Sequence, residues 1–139
     1  MASEEPTMDL RPIGVVHSPF NNREDCPANG WASDTHSEIQ IASNYLDGLT
    51  GLETGMRIHV LWWFTRADRD VLAQQPEPEA EERGVFAMRS PERPNPLALS
   101  LCEIIEFNRD RLVVVGLEAI DGSPVVDIKQ AVEFEGKIL

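Results

Sequence analysis

Two guanidiniums and a carboxamide, Arg89, Arg93 and Asn95, stand close together in the segment Gly84-Val-Phe-Ala-Met-Arg-Ser-Pro-Glu-Arg-Pro-Asn-Pro-Leu-Ala-Leu-Ser100. Proline fixes φ, removes a backbone donor and drives the preceding residue into extended geometry. Because Arg93 and Asn95 each precede a proline, Arg93-Pro94-Asn95-Pro96 is expected to be a stiff loop and not a hinge. Such a loop has surrendered conformational entropy before a ligand arrives, which preorganises a polar binding site. A guanidinium in that position suits a carboxylate, which it can grip through two parallel hydrogen bonds. A proline-rich connector between two strands is the plainer explanation of such a segment. The clustering of Arg89, Arg93 and Asn95 favours a site.

Three further polar groups punctuate the apolar runs: His17-Ser-Pro-Phe-Asn21, Asp121-Gly-Ser-Pro124, and Asp127 with Lys129. The last two residues share one strand face, being two apart, and could simply pair there. Asp-Gly is a common turn start, so Asp121 carries little weight alone. Acid–base chemistry has candidates in His17, His59, Asp121 and Asp127, which spacing does not rank. His59 shares a face with Arg57 and Leu61, as a core or interface histidine would. Arg66, Asp68 and Arg69 read as a charge-paired turn or as part of the same site. No GxSxG elbow supports a serine nucleophile, and the three histidines lack metal-ligand spacing. Cys26 lies in a polar loop and Cys102 in an apolar strand pattern; no CxxC pair exists.

The elements that must position these residues are short strands. Alternation and β-branched content predict strands at 11–18, 37–42, 57–65, 84–88 and 125–129, with 57–65 central. Segments 97–107 and 111–119 form a predicted hairpin around Asn108-Arg109-Asp110. The leucines of 43–55 suit a short helix, and 21–35 reads as a long loop. Six or seven strands with one or two short helices indicate an all-β barrel or sandwich. Without a GxGxxG fingerprint or P-loop, a doubly wound nucleotide fold is not expected. Residues 1–9 read as a loose tail and 10–139 as one domain.

The chain has 139 residues, 24 acidic against 12 basic, and a net charge of −12. That sign opposes phosphate-backbone binding, except where a local basic patch survives it. No apolar run approaches membrane-spanning length and the first residues lack a signal-peptide pattern, so a cytoplasmic protein is the expectation.

Three blocks in order carry a specific likeness: Arg11-Pro-Ile-Gly-Val-Val-His-Ser-Pro-Phe20, the segment Gly84 to Pro96, and Leu117-Glu-Ala-Ile-Asp-Gly-Ser-Pro-Val-Val-Asp-Ile-Lys129. Together they resemble the signature blocks of the TsaA-like (TrmO) family over nearly the whole chain. The resemblance implies an S-adenosylmethionine-dependent methyltransferase on a small, partly open β-barrel. It also implies a homodimer with the cofactor near the subunit interface. The acceptor it implies is the N6 amine of threonylcarbamoyl-adenosine in tRNA. Carried over by motif position, Ser18, Pro19, Phe20, Asn21, Arg89, Arg93, Asn95, Leu97, Ile120, Asp121, Gly122, Ser123 and Pro124 are expected to line the cofactor site. Asp127 is the candidate base; no metal is implied.

The chain departs from the family pattern at Met88, Glu92, Leu97-Ala98, Ala28-Asn29 and Gln130-Ala131. It also ends soon after the third block, before the extension of the longer tRNA-modifying members. Two other readings share the cofactor: a small-molecule or protein acceptor, and a non-catalytic S-adenosylmethionine-binding module.

Overall fold

The computed structural model describes residues 5–27 and 34–139. In chain order its strands are β1 (Gly14–His17), β2 (Ser37–Ile41), β3 (Arg57–Trp63), β4 (Ala73–Gln74), β5 (Arg83–Gly84), β6 (Leu97–Asn108), β7 (Arg111–Val115), β8 (Pro124–Gln130), β9 (Glu133–Phe134) and β10 (Lys137–Ile138). Six of them close into an all-antiparallel barrel in the order β1-β2-β7-β6-β3-β8. Closure removes the unpaired edges that an open sheet would expose.

The period of two sorts the side chains. Val16, Ile39, Ile58, Val60, Ile104, Leu112, Val114 and Val125 point inward and are fully buried, and Cys102 joins them, as its apolar setting predicted. β3, expected to be central, pairs along its whole length with β6 and over Ile58–Trp62 with β8, though in a closed barrel every strand has two neighbours. The triplet Trp62-Trp63-Phe64 splits between faces. Trp62 and Phe64 are buried, whereas the Trp63 ring lies outside beneath the Arg69 guanidinium at 5.1 Å. Two register shifts bend the wall, one opposite Leu61/Trp62 and one between Ile104 and Glu106. Such irregularities re-aim the side chains that follow them.

Helical structure among the described residues is 3-10 in type. Ser43–Leu49 fulfils the expected short helix, and Arg23–Asp25 and Val85–Ala87 are single turns. The expected strand at 84–88 is not formed. β5 stops at Gly84, and the chain coils so that Val85 is buried while Phe86 is 83% exposed. The reason is local: the carbonyls of Val85 and Met88 both accept from Arg93, so they are taken out of any ladder. The hairpin strand expected to reach Ala119 ends at Val115, because Gly116 turns the chain at φ +96. A small hairpin, β9–β10, was not foreseen; Glu135 and Gly136 at its tip both have positive φ, as a primed turn requires.

Part of the long 21–35 loop and of the N-terminal tail lies outside the described residues, including Ala28-Asn29.

Candidate functional site

The stiff loop is stiffer than its prolines alone would make it. The Arg93 guanidinium donates from Nε to the Ser90 carbonyl at 2.8 Å and from Nη2 to the carbonyls of Val85 and Met88, each at 2.7 Å. The same segment is tied to the barrel by Phe64 N–H donating to the Pro96 carbonyl at 2.9 Å. Arg69 clamps it from outside, donating to the Pro94 carbonyl at 2.7 Å and to Asn95 Oδ1 at 3.3 Å. Glu92, one of the departures from the family pattern, bridges two loops: it accepts from the Asp68 N–H at 2.6 Å and pairs with Arg23. Arg66, Asp68 and Arg69 make no ion pair among the described residues; the Arg69 side chain and the Asp68 N–H hold the loop instead.

Against this loop lies a cavity of about 480 Å³, within the range of small-ligand sites. Trp62 and Phe64 form its apolar floor, Met88, Arg89, Ser90, Pro91, Arg93 and Pro96 one wall, and Leu97, Ala98 and Leu99 the start of β6 another. Arg23, Cys26, Pro27 and Glu118 complete it. The Arg23 guanidinium sits 5.1 Å from the Phe64 ring centroid. Arg89 donates to the Leu99 carbonyl at 2.8 Å, which aims the side chain along the wall. Burial, then Asp25 and Glu118, push the Cys26 pKa up, away from thiolate.

Of the residues expected to line a cofactor site, Arg89, Arg93 and Leu97 border this cavity. Asn95 and Pro124 line a separate groove of about 330 Å³ with Trp63 and Arg69. The rest form a seam. Ser18 N–H donates to Asp121 Oδ1 at 3.0 Å, Ser18 Oγ donates to the Ala119 carbonyl at 2.7 Å, and Phe20 N–H donates to Ser18 Oγ at 3.3 Å. In return Asp121 N–H donates to the Phe20 carbonyl at 2.7 Å and Gly122 N–H to the Val16 carbonyl at 2.8 Å. Ser123 Oγ closes the turn onto the Ile120 carbonyl at 2.6 Å. Ser18, Phe20 and the Ile120–Ser123 turn therefore hold the first and third blocks to each other, and neither cavity wall includes them, Pro19 or Asn21. Asp127 is exposed, accepts from Ile128 N–H at 2.9 Å, and lines neither cavity. No ion pair joins it to Lys129 among the described residues. His17 Nε2 lies 2.9 Å from Gln40 Oε1, on the exposed face of β1.

Glu118 is the functional group that sequence reasoning missed. It is a lone carboxylate in the apolar run Leu112 to Ile120, and that isolation was the available signal. Ser100 links it to the floor: its hydroxyl accepts from Trp62 Nε1 at 3.0 Å and lies beside the Glu118 carboxylate, favouring its charged form. Glu118 Oε2 is buried without a partner. Burial pushes the Glu118 pKa up, opposed by Ser100, its own N–H and Arg89. The folded protein therefore binds this proton more tightly than the unfolded chain does. Its contribution to stability is full below the ordinary glutamate pKa and is lost as pH rises through the elevated one. Thermal unfolding of Glu118→Gln against wild type is expected to show the balance shifting toward the glutamine variant as pH rises across that interval. A difference that does not vary with pH, or that shifts toward wild type, contradicts the assignment.

The closed barrel and its braced cavity, with an apolar floor and charges of both signs, define a small-ligand-binding β-barrel. The family model for the tRNA-methyltransferase O N-terminal domain matches residues 15–134, and the chain belongs to that family. An S-adenosyl-L-methionine-binding protein of Archaeoglobus fulgidus is 53% identical over 123 residues, covering 88% of each chain. The tRNA (adenine(37)-N6)-methyltransferase of Escherichia coli is 31% identical over 133 residues, covering 88% of this chain and 57% of that one. The crystal structure of TrmO from Pseudomonas aeruginosa superposes with a TM-score of 0.75 at 27% identity, over 91% of this chain and 57% of the other. This chain thus spans little more than half the length of the tRNA-modifying relatives and nearly all of the archaeal one.

Proposed function

We propose that this chain binds S-adenosylmethionine in the large cavity and, as a homodimer, transfers its methyl group to the N6 amine of threonylcarbamoyl-adenosine in tRNA. The observation that carries the reading is the braced cavity with Arg89 in its wall. That guanidinium bonds one carbonyl within the protein, so its fork retains donors for a ligand carboxylate. Trp62 and Phe64 offer an apolar floor suited to an adenine ring, and Glu118 supplies negative charge for a cationic ligand. When bound, the cofactor contributes an already activated methyl group, so the protein need only align the acceptor, exclude water and receive a proton. The archaeal relative's name supports the cofactor assignment and the bacterial relative's name the methyl transfer to tRNA adenine. Exposed Leu97 and Leu99 put apolar surface at the edge of the cavity, which supports burial by a second copy.

A net charge of −12 favours a second reading, the same transfer to an acceptor other than tRNA. Labelled cofactor is incubated with the protein and total tRNA from a strain lacking the endogenous enzyme. Label is expected in tRNA bearing threonylcarbamoyl-adenosine. Label only in a metabolite or protein fraction establishes the second reading, and cofactor binding without any transfer leaves a binding module. Absence of calorimetric heat with S-adenosylmethionine overturns all three. A monomeric mass in light scattering at micromolar concentration overturns the dimer.

A further inference from the structure

Among the described residues, three buried side-chain polar atoms lack a hydrogen-bond partner: Ser37 Oγ, His59 Nδ1 and Glu118 Oε2. The latter two residues line the same hollow of about 110 Å³, with Arg89, Ser100, Leu101 and Gly116. Glu118 and Arg89 also belong to the large cavity, so the two spaces meet at a common wall. His59 is on the outward-facing side of β3, opposite Leu101 of β6 and Lys129 of β8. The hollow therefore leads from the cavity wall toward the outer face of the barrel. A buried polar atom left unsatisfied costs about 1–3 kcal/mol, and two such atoms around one space imply something that meets both. Water fits: it needs a polar hollow of about one probe sphere or more and two to four partners.

We propose that Glu118 and His59 form a proton relay across this hollow, carrying the proton released at the methyl acceptor out to the barrel surface. The inference rests on the methyl-transfer reading above. As the acceptor nitrogen bonds the methyl carbon, the carbon–sulfur pair returns to sulfur and a neutral thioether leaves. The nitrogen's proton passes to Glu118, then through hollow-bound water to His59 Nδ1, and from His59 to solvent. A carboxyl whose proton affinity is raised by burial is a better acceptor near neutral pH than an exposed one. The charged and titratable groups around the path are Arg89 and the thiols of Cys26 and Cys102 beside Glu118, and Lys129 across from His59 with Arg57 farther along its face. Relay membership makes His59 a positioning residue and Glu118 a catalytic one.

Two variants test it in the full-length chain. His59→Gln, outside the large cavity, is expected to bind S-adenosylmethionine within about twofold of wild type, yet to slow single-turnover transfer to modified tRNA at least roughly tenfold. Glu118→Gln is expected to slow it about a hundredfold, with Glu118→Asp recovering part of the loss. A second readout needs no turnover: with uniformly ¹⁵N-labelled protein at fixed pH, the His59 Nδ1 resonance is expected to move on Glu118→Gln. A stationary resonance, or wild-type transfer rates in His59→Gln, overturns the relay. If the resonance moves but wild type methylates neither tRNA nor any other acceptor, the coupling across the hollow is upheld and the transfer reading falls.

Discussion

Replacing Arg93 with alanine is expected to loosen the 85–96 loop, lower stability by roughly 3 kcal/mol and weaken S-adenosylmethionine binding at least tenfold. The guanidinium makes no ion pair within the described residues; it fastens the loop to itself by donating to three carbonyls, those of Ser90, Val85 and Met88. Hydrogen bonds from a charged donor contribute about 1.5–3 kcal/mol each, and three that share one side chain do not add fully. Alanine leaves all three carbonyls to find water in a part-buried setting. Met88, Ser90 and Pro91 in the cavity wall lose their fixed positions with them. Lysine is an informative second variant. It keeps the charge but has no planar fork to reach carbonyls in different directions, so Arg93→Lys is expected to behave more like alanine than like wild type. Urea midpoints and calorimetric titration of the three proteins check this. An unchanged affinity in Arg93→Ala would mean that the prolines and the ties from Phe64, Arg69 and Glu92 hold the loop without it.

The contrast between Arg93 and Arg89 marks the limit of what the chain's sequence discloses. Both arginines sit in the same stiff segment and look equally available for a ligand. Only the fold shows that Arg93 is turned onto its own loop while Arg89 keeps donors in hand beside Glu118. Strand placement was more legible, because the alternation in Ser37–Ile41 and Arg57–Trp63 directly encodes which side chains enter the barrel. Where backbone is captured by a side chain a few residues on, as Arg93 captures Val85 and Met88, strand pattern misleads. The Ser18 and Asp121 blocks illustrate another limit. Their polar residues attracted a ligand-binding reading, yet they satisfy one another across 103 positions of sequence. Residues such as Arg23, Phe64 and Glu118 meet in one cavity only after the barrel has closed, so no spacing along the chain announces them.

Gly116→Ala is expected to be strongly destabilising, costing on the order of 3–4 kcal/mol through two mechanisms acting together. The first is backbone conformation. Gly116 has φ +96, where an L side chain is strained by about 1–2 kcal/mol. The second is space: a Cβ there would stand 2.5 Å from the Leu101 carbonyl oxygen and 3.4 Å from Cys102 Cα, both backbone atoms of β6 that have no rotamer through which to retreat. Gly122→Ala separates the two effects. Gly122 also has a positive φ, at +85, but a Cβ on it meets nothing within 4 Å. Alanine at 122 should therefore carry only the conformational cost, about 1 kcal/mol. The difference between the two variants in denaturant midpoint measures the clash itself, and equal losses would refute it. The functional consequence follows from position, because Gly116 lines the small hollow and turns the chain that delivers Glu118 to the wall shared with the large cavity. If β6 and the 116–118 turn move apart to admit the methyl group, Glu118 is displaced from Ser100 and Arg89. Cofactor affinity should then fall with stability in Gly116→Ala and stay near wild type in Gly122→Ala.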